Sequence, residues 1–138
     1  MKIFLDANIL VSVLNKEYPV FTYSARLLSL IDNSKYELYT SPICLAIAFY
    51  FAEKKSGRKE AKNKIGMLSS KIKIAEADRK IVLQAVQNKS VEDFEDGLEY
   101  YSAIKAGCKY LITEDADDFH FSKIPVLSAQ QFLEEFVL

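Results

Sequence analysis

The chain begins with a short apolar run that ends in an aspartate. No polar residue interrupts Ile3–Leu5, Asp6 follows directly, and a second apolar segment begins at Ile9. A continuous apolar run that stops at a turn-forming residue indicates a buried strand, and burial on both faces is typical of parallel sheets. Asp6 would then stand at the carboxyl end of that strand, which is the edge where open α/β sheets bind their ligands.

Short apolar runs alternate with helical patterns along the rest of the chain. The alternation predicts an α/β fold: one domain over residues 1–138, with three α/β/α layers and a central parallel sheet of about five strands. The helix over residues 43–55 is apolar almost all round, so we expect it to be buried on most sides. Candidate strands after the first cover residues 36–40, 72–75, 110–113 and 125–127. Candidate helices cover residues 8–14, 20–31, 43–55, 58–69, 79–87, 93–106 and 129–136.

Composition argues against several classes of protein. There is no apolar run of 18 residues and no signal-peptide pattern at the N-terminus, so we expect a cytoplasmic protein with no membrane partner. Cys44 and Cys108 are too few for a disulfide scaffold, and His120, the single histidine, argues against a His-based triad. The net charge of −1 provides no global positive field, so a polyanionic substrate would require a local basic patch or a bound cation.

Three aspartates are candidates for a common site. Asp115 follows the strand at residues 110–113, and it would lie near Asp6 if that strand is a parallel neighbour of the first. Asp96 lies in the first turn of the helix that opens near Asp93. Each also has an ordinary structural explanation: a helix cap for Asp6, a helix-dipole interaction for Asp96 and a solvated loop for Asp115. Gathered carboxylates repel one another unless a cation is present, and their oxygens suit Mg²⁺ or Mn²⁺.

Three segments in order resemble the PIN-domain ribonucleases, most closely the VapC-like toxins of prokaryotic toxin–antitoxin pairs. The resemblance covers essentially the whole chain, although no single segment is specific by itself. The segments are Asp6-Ala7-Asn8-Ile9-Leu10 after a strand, Asp93-Phe94-Glu95-Asp96 at a helix start, and Tyr110 to Phe119 around the fourth strand.

The resemblance implies a Mg²⁺- or Mn²⁺-dependent endoribonuclease that hydrolyses RNA with an activated water and is restrained by an antitoxin protein. Asp6, Asp96 and Asp115 match the catalytic, metal-binding acids of that family. Five further residues match its supporting positions: Asn8, Ser41, Asp93, Thr113 and Asp118.

The chain departs from the family pattern at one position. The family usually carries a glutamate on the helix after the second strand, about six residues past Ser41, and this chain has Ile47 there. The expected acidic site is therefore thinned to three strong acids, with Mg²⁺ binding retained and nuclease activity reduced or narrowed. The alternative is a catalytically weak or inactive PIN-like module that binds RNA or a protein partner.

Basic and aromatic residues support less specific expectations. Arg58, Lys59 and Lys62 lie in the densest basic stretch, which is either a solvated helix face or a patch that binds RNA phosphates beside the acidic cleft. The aromatic run Phe49–Phe51 is assigned to the core, with an interface to the second subunit of a homodimer as the alternative.

Overall fold

The computed structural model describes all 138 residues and contains five strands, seven helices and two 3₁₀ turns. None of the helices combines the length and the apolar character that crossing a membrane requires. The strands are β1 (Lys2–Leu5), β2 (Glu37–Thr40), β3 (Lys73–Ile74), β4 (Tyr110–Ile112) and β5 (Val126–Leu127). The helices are α1 (Ala7–Leu14), α2 (Val20–Leu28), α3 (Pro42–Ser56), α4 (Arg58–Ser69), α5 (Arg79–Gln87), α6 (Phe94–Ala106) and α7 (Ala129–Phe136), and the 3₁₀ turns are Ser29–Asp32 and Ala116–Phe119.

The strands form one parallel sheet in the order β3-β2-β1-β4-β5. The chain moves outward from β1 to β2 and β3 on one side, and later forms β4 and β5 on the other side. Leu5 pairs with Ile112 in register, and the Asp6 N–H donates to the Ile112 carbonyl at 3.0 Å. The strand order reverses between β1 and β4, and a crevice opens at the carboxyl ends of strands at such a switch point. The predicted three-layer α/β/α fold is confirmed.

The two central strands are buried on both faces. Ile3, Phe4 and Leu5 of β1 are 0% exposed, and so are Leu111 and Ile112 of β4. Each such side chain stabilises the fold by about 1.5–3 kcal/mol relative to an exposed one. The ends of β1 and β4, which carry Asp6 and Thr113, are therefore held in the most rigidly packed part of the molecule.

Side-chain caps define where the two helices flanking these strand ends begin. The Ser41 hydroxyl accepts from the Cys44 N–H at 3.2 Å at the start of α3. One carboxylate oxygen of Asp93 accepts from the N–H groups of Glu95 and Asp96 at 2.8 and 3.3 Å at the start of α6. Each cap satisfies backbone donors that have no partner inside the helix.

A close approach between α5 and α6 sets the orientation of α6. A Cβ at Gly97 would lie 2.7 Å from Val91 Cγ1 and 3.1 Å from Ala85 Cβ, so only glycine fits there without displacement. At the other end of α6, Gly107 has a φ of 83° and forms a left-handed cap directly after the last residue of the predicted helix, residue 106. The face of α6 that carries Gly97 therefore packs closely against α5 and the segment that joins the two helices.

The expectation that α3 is buried on most sides is wrong. Its buried residues are Cys44, Ala48 and Ala52, a stripe of small side chains at intervals of four, along which α1 and α4 pack. Tyr50 and Phe51 are 51% and 44% exposed. An all-apolar helix therefore buries only the face on which its neighbours approach closely, and the aromatic residues lie outside that face.

Candidate active site

Asp6 occupies the end of β1 and is 7% exposed. One carboxylate oxygen accepts from the Ala7 N–H at 2.6 Å, which makes Asp6 the N-cap of α1. The other oxygen accepts from the Thr113 hydroxyl at 2.7 Å. Asp6 can therefore be both a helix cap and a member of the site, because one carboxylate oxygen caps α1 and the other is oriented by Thr113 at the end of the neighbouring strand.

Thr113 connects the ends of the two central strands. Its hydroxyl is 0% exposed and accepts from Asn8 Nδ2 and from the Asp115 N–H, both at 3.0 Å. Asn8 Nδ2 also donates to Asp115 Oδ2 at 3.2 Å, and Asn8 Oδ1 accepts from the Glu114 N–H at 3.3 Å. This network holds the carboxylates of Asp6 and Asp115 on the same side of the sheet edge.

The first turn of α6 brings a further aspartate to this edge. Asp96 is half-buried, and its pKa is raised to about 7, first by burial and then by the charges of Asp93, Asp6 and Asp118. Burial and the charge of Asp115 likewise raise the pKa of Asp118. Burial is the first cause of both raised pKa values, and the neighbouring carboxylates add to it because like charges disfavour ionisation.

Glu99 is the functional candidate that the sequence analysis missed. It lies one turn beyond Asp96 on α6, is 1% exposed, and has an Oε2 atom without a hydrogen-bond partner. The pKa of Glu99 is raised to about 11, first by burial and then by the adjacent Asp6 carboxylate, while the Cys44 thiol acts in the opposite direction. The spacing of three residues from Asp96 was the available signal, since residues i and i+3 share a helix face.

These residues line one cleft of about 370 Å³. All its charged lining residues are acidic, whereas Ile47 and Phe51 of α3 form part of its apolar wall. The lining contains no lysine, arginine or histidine. The seven carboxylates of the lining belong to Asp6, Glu17, Glu95, Asp96, Glu99, Asp115 and Asp118.

The other residues singled out by the sequence lie around the cleft or away from it. Ser41 and Asp93 are the helix caps described above, and Thr113 lies beneath the lining. The three basic candidates, Arg58, Lys59 and Lys62, are exposed on α4 and do not line the cleft. Arg58 also forms an ion pair with Glu53 at 3.5 Å.

The donor set fits a hard divalent cation. One potential ligand atom from each of Asp6, Cys44 and Glu99 lies within 4.8 Å of the other two, and all three residues are buried. Carboxylate oxygens are preferred by Mg²⁺ and Mn²⁺, whereas the pKa of the buried Cys44 thiol is raised well above its usual range. The unpartnered oxygen of Glu99 and the absence of a positive side chain in the lining both favour a cation among the carboxylates.

The sequence comparisons agree with this architecture. A family model described as the PIN domain matches residues 2–117, a segment that includes the ends of β1 and β4. The chain belongs to the PIN domain family. The resemblance found in the sequence is thereby confirmed, and the matched segment of this PIN domain contains Asp6, Asp96, Glu99 and Asp115.

One relative of this PIN domain is Ribonuclease VapC1 from Aquifex aeolicus (strain VF5). The two are 26% identical over 137 residues, and the match covers 96% of this chain and 94% of the relative. The similarity therefore extends over the whole fold.

Solved structures share the fold at lower sequence identity. VapBC2 from Rickettsia felis, bound to a DNA fragment from its promoter, contains a chain with a TM-score of 0.70 and 21% identity, covering 93% of this chain and 98% of that one. VapC20 from Mycobacterium tuberculosis, described as a toxin that cleaves the sarcin-ricin loop, has a TM-score of 0.64 and 17% identity, covering 79% and 86%. These likenesses show that this PIN domain has the fold of VapC proteins.

Proposed function

We propose that this PIN domain is a divalent-metal-dependent endoribonuclease of the VapC type, which hydrolyses phosphodiester bonds of RNA. The observation that carries the proposal is the cleft at the ends of β1 and β4, where seven carboxylates converge and no positive side chain is present. The relative Ribonuclease VapC1, whose name states that it acts on RNA, supports the same substrate class.

Asp6, Asp96 and Asp115 would hold the cation, Mg²⁺ or Mn²⁺. When bound, such an ion supplies a more acidic bound water and neutralises the charge that develops on the phosphodiester. The Thr113 hydroxyl and the Asn8 amide keep Asp6 and Asp115 in place without a bound ion, because they hydrogen-bond to both carboxylates. Because these two carboxylates are already in place, the side chains need to move less when a cation binds.

Asp96 is the residue best placed to act on the attacking water. Its carboxyl group is half-buried in the first turn of α6, in the lining that also contains the buried Asp6 and the exposed Asp118. From there it either ligates the ion or accepts the proton of the water that attacks phosphorus. The water oxygen forms the new P–O bond, and the P–O bond to the leaving ribose oxygen breaks. Asp93 supports this step indirectly, as the cap that sets the start of α6.

The acidic lining requires that RNA be held partly by groups outside it. Arg58, Lys59 and Lys62 on α4 are the candidates for contacting phosphates, in which case RNA binding weakens with added salt. We further propose that an antitoxin protein restrains the enzyme in the cytoplasm. That proposal is supported by the VapBC assemblies among the proteins that share the fold.

A second candidate function is a binding module with little or no nuclease activity. The specific observation in its favour is Ile47, whose apolar side chain lines the cleft at the position where the family usually carries a glutamate. Such a module would bind RNA or a protein partner through the same surface and would leave RNA intact.

A cleavage assay separates the two functions. The metal-free protein is incubated with a mixed RNA substrate while Mg²⁺ or Mn²⁺ is titrated, alongside Asp6→Asn and Asp96→Asn variants. The matched control is Glu135→Gln, which neutralises an exposed acid of α7 outside the cleft. We expect divalent-dependent cleavage by the wild type and the control, and a loss of about a hundredfold or more in the two aspartate variants.

Two results would contradict the proposed enzyme. RNA cleavage that persists in EDTA, or that is equally fast in the wild type and in Asp6→Asn, would contradict the metal-dependent mechanism. If the wild type binds RNA but leaves it intact at every metal concentration, the protein is the binding module instead.

A further inference from the structure

Glu99 is the most unusual side chain of the cleft. It is 1% exposed, yet its Oε2 atom has no hydrogen-bond partner. A buried polar atom without a partner costs about 1–3 kcal/mol, and more when the group is charged. Such atoms are rare in folded proteins, and each requires an explanation such as a ligand that binds there.

The immediate neighbours of Glu99 do not include a charge partner. Its carboxylate lies beside the Asp6 carboxylate and the Cys44 thiol, with potential ligand atoms within 4.8 Å of one another. The Asp6 oxygens already accept from Ala7 and Thr113. A positive charge from the chain itself is excluded, because the cleft lining contains none.

The direction of α6 explains why Glu99 reaches this position. Asp96 and Glu99 are three residues apart, so they share a helix face, and both line the cleft together with Asp6. Asp96 lies half-buried in the first turn and Glu99 is buried one turn deeper. On the opposite wall, α3 contributes Ile47 and Cys44, neither of which is a hard oxygen ligand.

We propose that Glu99 is a ligand of the divalent cation, so that α6 supplies the fourth strong acid of the site in place of a glutamate on α3. The proposal rests on the metal-binding part of the proposed function and is independent of whether RNA is the substrate. The site then contains Asp6, Asp96, Glu99 and Asp115, and the apolar residue at position 47 is compatible with a complete set of acids.

The competing explanation is a purely structural Glu99. In that case the side chain is a neutral carboxylic acid that donates a hydrogen bond to Asp6 and takes no part in metal binding. Gln has nearly the same size and also carries a donor, so Glu99→Gln preserves the structural role and removes only the anionic oxygen. The two explanations therefore predict opposite results for this one substitution.

The test is a titration of the full-length, metal-free protein with Mn²⁺, followed by calorimetry and by the rise in melting temperature that Mn²⁺ causes. The variants are Glu99→Gln, Asp6→Asn and the matched control Glu135→Gln. We expect Glu99→Gln to weaken Mn²⁺ association by about tenfold or more and to diminish the melting shift, while the control behaves as wild type. Wild-type affinity in Glu99→Gln would overturn the proposal and establish the structural role.

A rescue variant tests the position of the acid rather than its identity. In Ile47→Glu combined with Glu99→Gln, a carboxylate returns to the cleft from α3, and we expect Mn²⁺ affinity to recover most of the loss. If Glu99→Gln does not fold, Glu99→Asp replaces it, since the shorter side chain keeps its charge but withdraws the oxygen from the cation. Undiminished Mn²⁺ binding by Glu99→Asp would then overturn the proposal.

The outcomes also separate this proposal from the proposed nuclease. If Glu99→Gln loses Mn²⁺ binding and the wild type does not cleave RNA, Glu99 is supported as a metal ligand and the nuclease activity is rejected. Mn²⁺ binding that depends on Asp6 but not on Glu99 rejects the ligand role and leaves the nuclease standing. A wild type that binds no Mn²⁺ overturns the ligand role, and the cleavage assay then decides the nuclease by itself.

Discussion

Replacing Thr113 by valine removes one hydroxyl group while keeping the shape of a fully buried side chain. That hydroxyl donates to Asp6 at 2.7 Å and accepts from Asn8 and the Asp115 N–H, both at 3.0 Å. All three hydrogen bonds are lost in Thr113→Val, and the two strand ends that carry Asp6 and Asp115 lose their direct connection. We expect the variant to be destabilised and to bind divalent cations more weakly.

The size of the effect follows from the three bonds. A hydrogen bond to a charged group contributes about 1.5–3 kcal/mol, and each of the others contributes about 0.5–1.5 kcal/mol. Water can replace part of the loss because Asn8 and Asp115 are partly exposed, and the added methyl group regains about 1 kcal/mol by burial. The expected decrease in the free energy of unfolding is therefore about 2–4 kcal/mol.

The assay is equilibrium unfolding in urea at neutral pH without metal, which suits a domain of this size. Thr113→Ser is the matched control, since it keeps the hydroxyl and removes a methyl group, with an expected loss of about 1 kcal/mol. Mn²⁺ titration of the same proteins should show weaker binding for valine than for serine. Equal stability of the two variants would refute the assignment of Thr113 as the connecting residue.

Three further predictions concern pH, packing and thiol chemistry. The pKa values of Glu99 and Asp96 are higher in the folded protein than in the unfolded chain, so the protonated side chains favour the folded state. This contribution to the free energy of unfolding is complete below about pH 4, and for Asp96 it is lost as the pH rises through about 7. The free energy of unfolding of the metal-free protein, measured in urea, should therefore decrease from pH 5 to pH 9. The decrease should be smaller in Glu99→Gln, and a free energy of unfolding that does not change with pH would contradict this prediction. Gly97→Ala should lower the free energy of unfolding by about 1–3 kcal/mol, because the added Cβ would lie 2.7 Å from Val91 Cγ1 and 3.1 Å from Ala85 Cβ; an unchanged urea midpoint would show that these contacts relax freely. Cys44 and Cys108 are buried with raised pKa values, so a thiol reagent should modify neither in native protein and both in urea; rapid labelling of Cys44 in native protein would show that its buried site beside Asp6 and Glu99 opens.

Several elements of the fold were predictable because they depend on local physics. The apolar run before Asp6 indicated a strand covered on both faces, and that burial is what the structure has. Asp93 and Gly107 begin and end α6 at the predicted positions, because caps satisfy backbone groups within a few residues of themselves. The proximity of Asp6 and Asp115 also followed from sequence, because carboxyl ends of parallel neighbours meet at one edge.

Helix α3 shows where local pattern is insufficient. Its apolar composition indicated general burial, but Tyr50 and Phe51 are exposed while Ala48 and Ala52 are buried. Hydrophobicity indicates which side chains would be stabilised by burial. Which of them are actually buried depends on the side of α3 against which α1 and α4 pack.

The sequence by itself determined the alternating α/β pattern, the strand-end aspartates and the loss of the α3 glutamate at position 47. Tertiary structure alone decided that Glu99 lies beside Asp6, because a helical sequence does not state which of its faces turns toward the sheet. That direction depends on how α6 packs against other elements, including the close contact of Gly97 with Ala85 and Val91. Glu99 is therefore buried beside Asp6, and the cleft lining contains a strong acid that the sequence analysis did not include.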